Sequence, residues 1–182
     1  MVKLLWLVIK MIVKEIRDED FTSYKKPSMV IGFPSCTFKC ERECGQKMCQ
    51  NSALATAPNI EMEYGHIVDR YLKNPITKAI IMAGLEPFDS APNLVGLINF
   101  FRQYTNDDIV IYTGYTEEEV KSMKYTVCYS WGKQSYSYFG EIAKHPNIII
   151  KYGRFRPNEE SHYDSVLGIK LASSNQYAER VS

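Results

Sequence analysis

Ser28-Met29-Val30-Ile31-Gly32-Phe33-Pro34-Ser35-Cys36-Thr37-Phe38-Lys39-Cys40 is an apolar, β-branched run that breaks at a proline and then presents two cysteines. A short apolar run bounded by Pro reads as a buried strand, Ser28 to Phe33, followed by a loop. Cys44 and Cys49 follow closely, so four of the five cysteines fall between positions 36 and 49, while Cys128 stands alone as a simple thiol. Disulfide frameworks belong to small secreted domains, whereas a tight cysteine cluster points to a metal or iron–sulfur site in reducing, cytoplasmic surroundings. Spacing alone leaves two occupants open, a four-iron cluster or a structural zinc ion.

Similar apolar runs recur downstream at Ala79 to Ala83, Ile109 to Thr113 and Ile148 to Tyr152. Between them, Glu61 to Leu72 and Pro92 to Tyr104 place apolar residues at helical spacing, and a third helix is expected to start at Thr116, whose hydroxyl can cap Glu117-Glu118-Glu119-Val120. Alternating strands and helices predict an α/β fold with a parallel sheet. A complete eight-unit barrel takes about 250 residues, so the expectation is an open, partial (β/α) barrel. In such folds chemistry gathers at the carboxyl ends of the strands. Cys36, Gly84-Leu85-Glu86 and Thr113-Gly114-Tyr115 follow three of the predicted strands. The tyrosine-rich stretch Tyr125 to Phe139 reads as either a strand pair or an insertion.

The 182 residues suit one domain, 1–182, with no repeat or low-complexity tract. Twenty-two Lys and Arg balance 21 Asp and Glu, a net charge of +1, which gives no electrostatic footprint for nucleic acid or an anionic membrane. Met1 to Val13 is apolar but is interrupted by Lys3 and Lys10. It falls short of the roughly 20 apolar residues that a membrane span needs. It reads as a core strand with an extended start; a non-native leader or an interfacial segment is the alternative. His66, His145 and His162 show no metal-ligand spacing.

Phe33-Pro34-Ser35-Cys36-Thr37-Phe38-Lys39-Cys40 with Cys49-Gln50-Asn51 resembles the opening loop of radical S-adenosylmethionine (SAM) enzymes. In that superfamily cysteines at a three-then-two spacing hold a 4Fe-4S cluster. Ala83-Gly84-Leu85-Glu86-Pro87 resembles the Gly-Gly-Glu-Pro segment that binds the methionine amino group of SAM. Ile111 to Thr116 and Ser173-Ser174-Asn175-Gln176 resemble segments of the activating proteins of anaerobic ribonucleoside-triphosphate reductase. The chain departs from the family at the third cysteine, because Cys44 lies three residues after Cys40 and Cys49 lies eight after it. Met48 and Asn51 match the family's surroundings of a third ligand, whereas Glu43 and Gly45 do not. The resemblance therefore implies Cys36, Cys40 and Cys49 as ligands, with Cys44 as the alternative third ligand and Glu41 to Lys47 as an insertion.

The same resemblance implies contacts to SAM from Met48, Gly84, Leu85, Glu86, Thr113 and Gly114. A Glu before Pro is commonly a solvated loop residue; Gly84 argues against that here, since it would permit close approach by a ligand. The implied activity is reductive cleavage of SAM to a 5′-deoxyadenosyl radical. Its implied partners are a large glycyl radical enzyme and an electron donor such as flavodoxin or ferredoxin. A stand-alone radical SAM enzyme, an iron–sulfur electron carrier with four cysteine ligands and a zinc-stabilised module remain the rivals.

Overall fold

The computed structural model describes residues 9–182, so the expectation for Met1 to Val13 falls largely outside the described residues. What is described of it, β1 (Lys10–Val13), does not join the main sheet. It pairs instead with β4 (Ile60–Glu63) as a separate antiparallel ribbon, with Met11 and Val13 buried. Glu61 to Glu63 thus belong to a strand, and the helix predicted from Glu61 begins later, as α3 (Tyr64–Lys73).

The main sheet has six strands. Its centre is β3 (Ser28–Phe33), β5 (Ala79–Gly84), β6 (Asp108–Tyr112) and β9 (Ile148–Tyr152), parallel and adjacent in chain order. Their nearly continuous burial explains why they read as unbroken apolar runs, since both faces of a parallel sheet are covered. The purely parallel expectation fails at the two edges. There β2 (Glu15–Asp20) lies antiparallel to β3, and β12 (Tyr177–Arg180) lies antiparallel to β9. The link from β2 to β3 is too short for a crossover, which takes a dozen residues or more, so the chain can only double back.

The helices α3, α4 (Ala91–Phe101), α5 (Glu117–Ser122) and α6 (Tyr138–Ala143) all contribute buried side chains to one core, against Met29, Ile31, Ile80, Met82, Ile109 and Ile148. On α4, Leu94, Leu97, Ile98 and Phe101 are fully buried at helical spacing, and Phe101 meets Tyr71 of α3 edge-on with ring centroids 5.7 Å apart. Truncating any one of these to Ala costs about 2–5 kcal/mol. Thr116 caps α5 as predicted, in a capping box with Glu119.

No helix contributes a side chain to the buried cluster on the opposite face. Val30, Ile81, Val110 and Ile149 pack there against Tyr24, Leu167 and Leu171, the last from the hairpin of β10 (His162–Asp164) and β11 (Ile169–Leu171). Tyr125 to Phe139 proves to be a strand pair, β7 (Lys124–Tyr129) with β8 (Gly132–Ser137), which leads into α6. Among the described residues no helix is long and apolar enough to cross a membrane, and no closed barrel is present.

Candidate cluster and cofactor site

A cavity of about 410 Å³ opens at the carboxyl ends of the parallel strands and runs along the sheet face opposite α3 to α6. Cys36, Cys40 and Cys49 line it, together with Met48, Gly84, Leu85, Glu86, Thr113 and Gly114. Residues from four separate segments are thereby brought together. Cys44 is not among them: it is the last residue of the short helix α1 (Lys39–Cys44) and is exposed. All five cysteines are free.

The cysteine loop is held by local geometry. Phe38, before α1, has φ 51°, a left-handed conformation that a residue with a side chain adopts only when its surroundings enforce it, and its amide donates to Cys36 Sγ at 3.2 Å. One oxygen of Glu41 accepts from the amides of Met48, at 3.2 Å, and Cys49, at 3.1 Å, which folds the insertion back on itself. Asp89 accepts from the Thr37 amide and the Tyr115 hydroxyl, both at 2.6 Å, and so ties the loop to the end of β6. Arg154 reaches Glu119 at 2.8 Å and Glu43 at 3.3 Å, while Lys39 also pairs with Glu119. Burial alone would raise Glu119, but the hydrogen bonds from Arg154 and Lys39 hold it down at about 2.

Burial pushes the Cys36 thiol up to about 11, and burial followed by the neighbouring Cys49 raises Cys40. Thiols in this state must lose their protons to ligate, which is what a bound cation brings about. The three thiols share a cavity, an all-sulfur donor set of the kind that iron–sulfur clusters take.

Glu86 is buried, not the solvated loop residue that a Glu-Pro pair commonly is. Its Oε1 accepts from Thr113 Oγ1 at 2.8 Å and the Phe88 amide at 3.1 Å; its Oε2 accepts from the Gly114 amide at 2.8 Å. A carboxylate has about four acceptor sites, so room for one more donor remains. Burial raises its pKa to about 7 against the pull of those hydrogen bonds.

Thr113 and Gly114 lie where predicted, but their polar groups are already engaged. The Thr113 hydroxyl donates to Glu86 and accepts from the Tyr115 amide at 3.0 Å, and the Gly114 amide serves Glu86. Gly84 lines the cavity, yet its need for glycine has another cause than ligand approach. At φ +95° an added Cβ would sit 2.5 Å from the Phe33 amide nitrogen. The close approach is to the neighbouring strand. Asp89 and Arg154 were not foreseen, because each acts through a partner distant in sequence, and Glu41 was not, because it lies in the stretch read as an insertion.

No curated protein and no solved structure matches the chain. The family described as "4Fe-4S single cluster domain" matches it over residues 29–167, a stretch that contains the three cavity cysteines, Glu86 and the Thr113-Gly114 turn. Because that match takes in well over half of the sequence and the donor set agrees with it, this chain is an iron–sulfur protein that belongs to the 4Fe-4S single cluster domain family.

Proposed function

We propose that this protein is a radical SAM enzyme that activates a glycyl radical enzyme such as anaerobic ribonucleotide reductase. The observation that carries the reading is the shared cavity, in which three thiols and the buried, hydrogen-bonded carboxylate of Glu86 face one space. Four parallel strands that follow one another across the sheet in chain order, with α3 to α6 packed on one face, also suit an open partial barrel of the radical SAM kind.

Cys36, Cys40 and Cys49 would hold the 4Fe-4S cluster, three thiolates that would leave one iron open to a ligand such as SAM. When bound, the cluster supplies one electron to the sulfonium, whose C–S bond breaks to give methionine and a 5′-deoxyadenosyl radical. The chain's own residues do the rest. Glu86, fixed by Thr113 and Gly114, takes the methionine ammonium in a charge-assisted hydrogen bond. Met48 and Leu85 supply apolar wall. The radical chemistry that the bound cofactor would supply would be directed at a glycine Cα–H of the partner. Flavodoxin or ferredoxin in the cytoplasm is the proposed electron source.

Anaerobic purification with iron and sulfide analysis, followed by SAM and dithionite, tests the reading. About four irons per chain and release of 5′-deoxyadenosine are expected. A loaded cluster with no SAM cleavage would favour an electron carrier, and zinc in place of iron would overturn the cluster assignment.

A further inference from the structure

The three cavity cysteines are not held alike. Cys36 takes a hydrogen bond from the Phe38 amide, and the residue after it is tied to Asp89. Cys49 gives its amide to Glu41, and Asn51 just beyond it reaches Gly84. Cys40 lies on α1, which buries no residue, so no apolar packing fixes the helix that carries it. Two charged side chains on that helix, one before Cys40 and one after it, reach out to the rest of the fold instead. Lys39 pairs with Glu119, and Glu43 meets Arg154 Nε at 3.3 Å.

Both ties end on one pair. Arg154 Nη2 donates to both oxygens of Glu119 at 2.8 Å. Its guanidinium lies 5.5 Å from the centroid of the Tyr115 ring, and the Lys39 ammonium lies 6.0 Å from the same ring. Isolated surface ion pairs contribute little, but a network of several charges around a well-placed Arg does contribute, and the Arg154 side chain is only 11% exposed.

What aims Arg154 is the segment Ser173-Ser174-Asn175-Gln176, to which the chemistry above gives no part. Asn175 Nδ2 donates to the Arg154 carbonyl at 2.9 Å, and Gln176 Nε2 donates to the Gly153 carbonyl at 3.3 Å. Gln176 is buried, and its Oε1 accepts from the amides of Ala172 and Ser173, which fixes the turn it belongs to. At Gly153, φ is +96° and an added Cβ would lie 2.8 Å from the Asn175 carbonyl oxygen, so the two segments meet backbone to backbone.

We infer that Asn175, Gln176, Arg154 and Glu119 form a positioning relay that holds Cys40 in place for the cluster, acting through Lys39 and Glu43. The relay links the turn before β12 to the cysteine loop at the far end of the sequence. It rests on the cluster assignment alone and stands whether or not SAM is cleaved.

The test uses the double variant Lys39→Met/Glu43→Gln, which removes both ties, leaves the net charge unchanged and keeps the Arg154–Glu119 pair. From the anaerobically loaded full chain, iron release to a chelator should be roughly 5- to 10-fold faster than in wild type. Wild-type release should quicken as salt rises, because ion pairs are screened, whereas the double variant should be fast at every salt concentration. In the apo chain iodoacetamide should label Cys40 faster in the variant and label Cys36 and Cys49 as in wild type. Thermal unfolding of the apo chain checks that the fold is intact, and Glu43→Gln alone replaces the double variant if it is not. Asn175→Ala, which changes no charge, should speed iron release in the same direction by roughly two- to fivefold. Wild-type iron retention in the double variant, wild-type release that ignores salt, or labelling that speeds up equally at all three cysteines overturns the relay. Asn175→Ala that retains iron as wild type does overturns its C-terminal arm, and a wild-type chain that takes up no iron overturns the cluster assignment beneath it.

Discussion

The side-chain amide of Asn51 donates to the carbonyl of Gly84 at 2.7 Å, so the residue two places after Cys49 is tied to the end of β5. Through this one bond the cysteine turn and the Gly-Leu-Glu segment share a reference point. Asn51→Ala removes it. Loss of about 1 kcal/mol of stability is expected, read by thermal unfolding. Iron retention should fall under chelator challenge, and unaltered retention would show that the bond does not position Cys49.

The cysteines should divide three to one. Cys36→Ala, Cys40→Ala and Cys49→Ala are each expected to lose the cluster, whereas Cys44→Ala keeps it, because Cys44 is exposed and lies outside the cavity. Iron and sulfide content of the four variants decides the matter. A dead Cys44→Ala beside an active Cys49→Ala would reverse the assignment.

Glu86 makes ligand binding depend on pH. Its pKa near 7 means that the apo protein carries the proton over a range where the unfolded chain, near the ordinary 4.5, has lost it. Between those values the folded state binds more protons, so this group's contribution to apo stability is lost as pH rises through about 7. An ammonium ligand needs the ionised form. SAM affinity should therefore fall as pH drops below 7, by up to about tenfold per unit, and Glu86→Gln should bind weakly with no such slope. A wild-type affinity that is flat from pH 5.5 to 8 would remove Glu86 from the ammonium site.

Gly84→Ala should be severe. The new Cβ would meet backbone on β3, which cannot swing aside as a side chain can, and φ +95° disfavours any residue with a Cβ. A loss of about 2 kcal/mol or more is expected. Equilibrium denaturation of the apo protein measures it, and a loss below 0.5 kcal/mol would mean that the strand ends relax.

The parallel strands and the cysteine loop were legible because burial on both faces leaves unbroken β-branched runs such as Ile80-Ile81-Met82. The capping box was legible because Thr116 and Glu119 sit at fixed local spacing. Strand β2 was not: Glu15-Ile16-Arg17-Asp18-Glu19-Asp20 is an edge with a register shift between Arg17 and Asp20, and its charges resemble a loop. The helix α1 buries no residue and so lacks any periodic signal.

The two antiparallel borders have a consequence for solubility. An open sheet edge is a template on which a second molecule can add a strand, and fibrous assembly begins that way. Here the outer strand on one side alternates Glu15, Arg17 and Glu19 with their neighbours, and that on the other ends in Glu179-Arg180. A foreign strand docking on either border would have to bring its backbone against these charges and desolvate them, while the register shift in β2 breaks the straight ladder it would need. The aggregation-prone Ile and Val runs stay in the middle of the sheet, two charged borders away from any other copy.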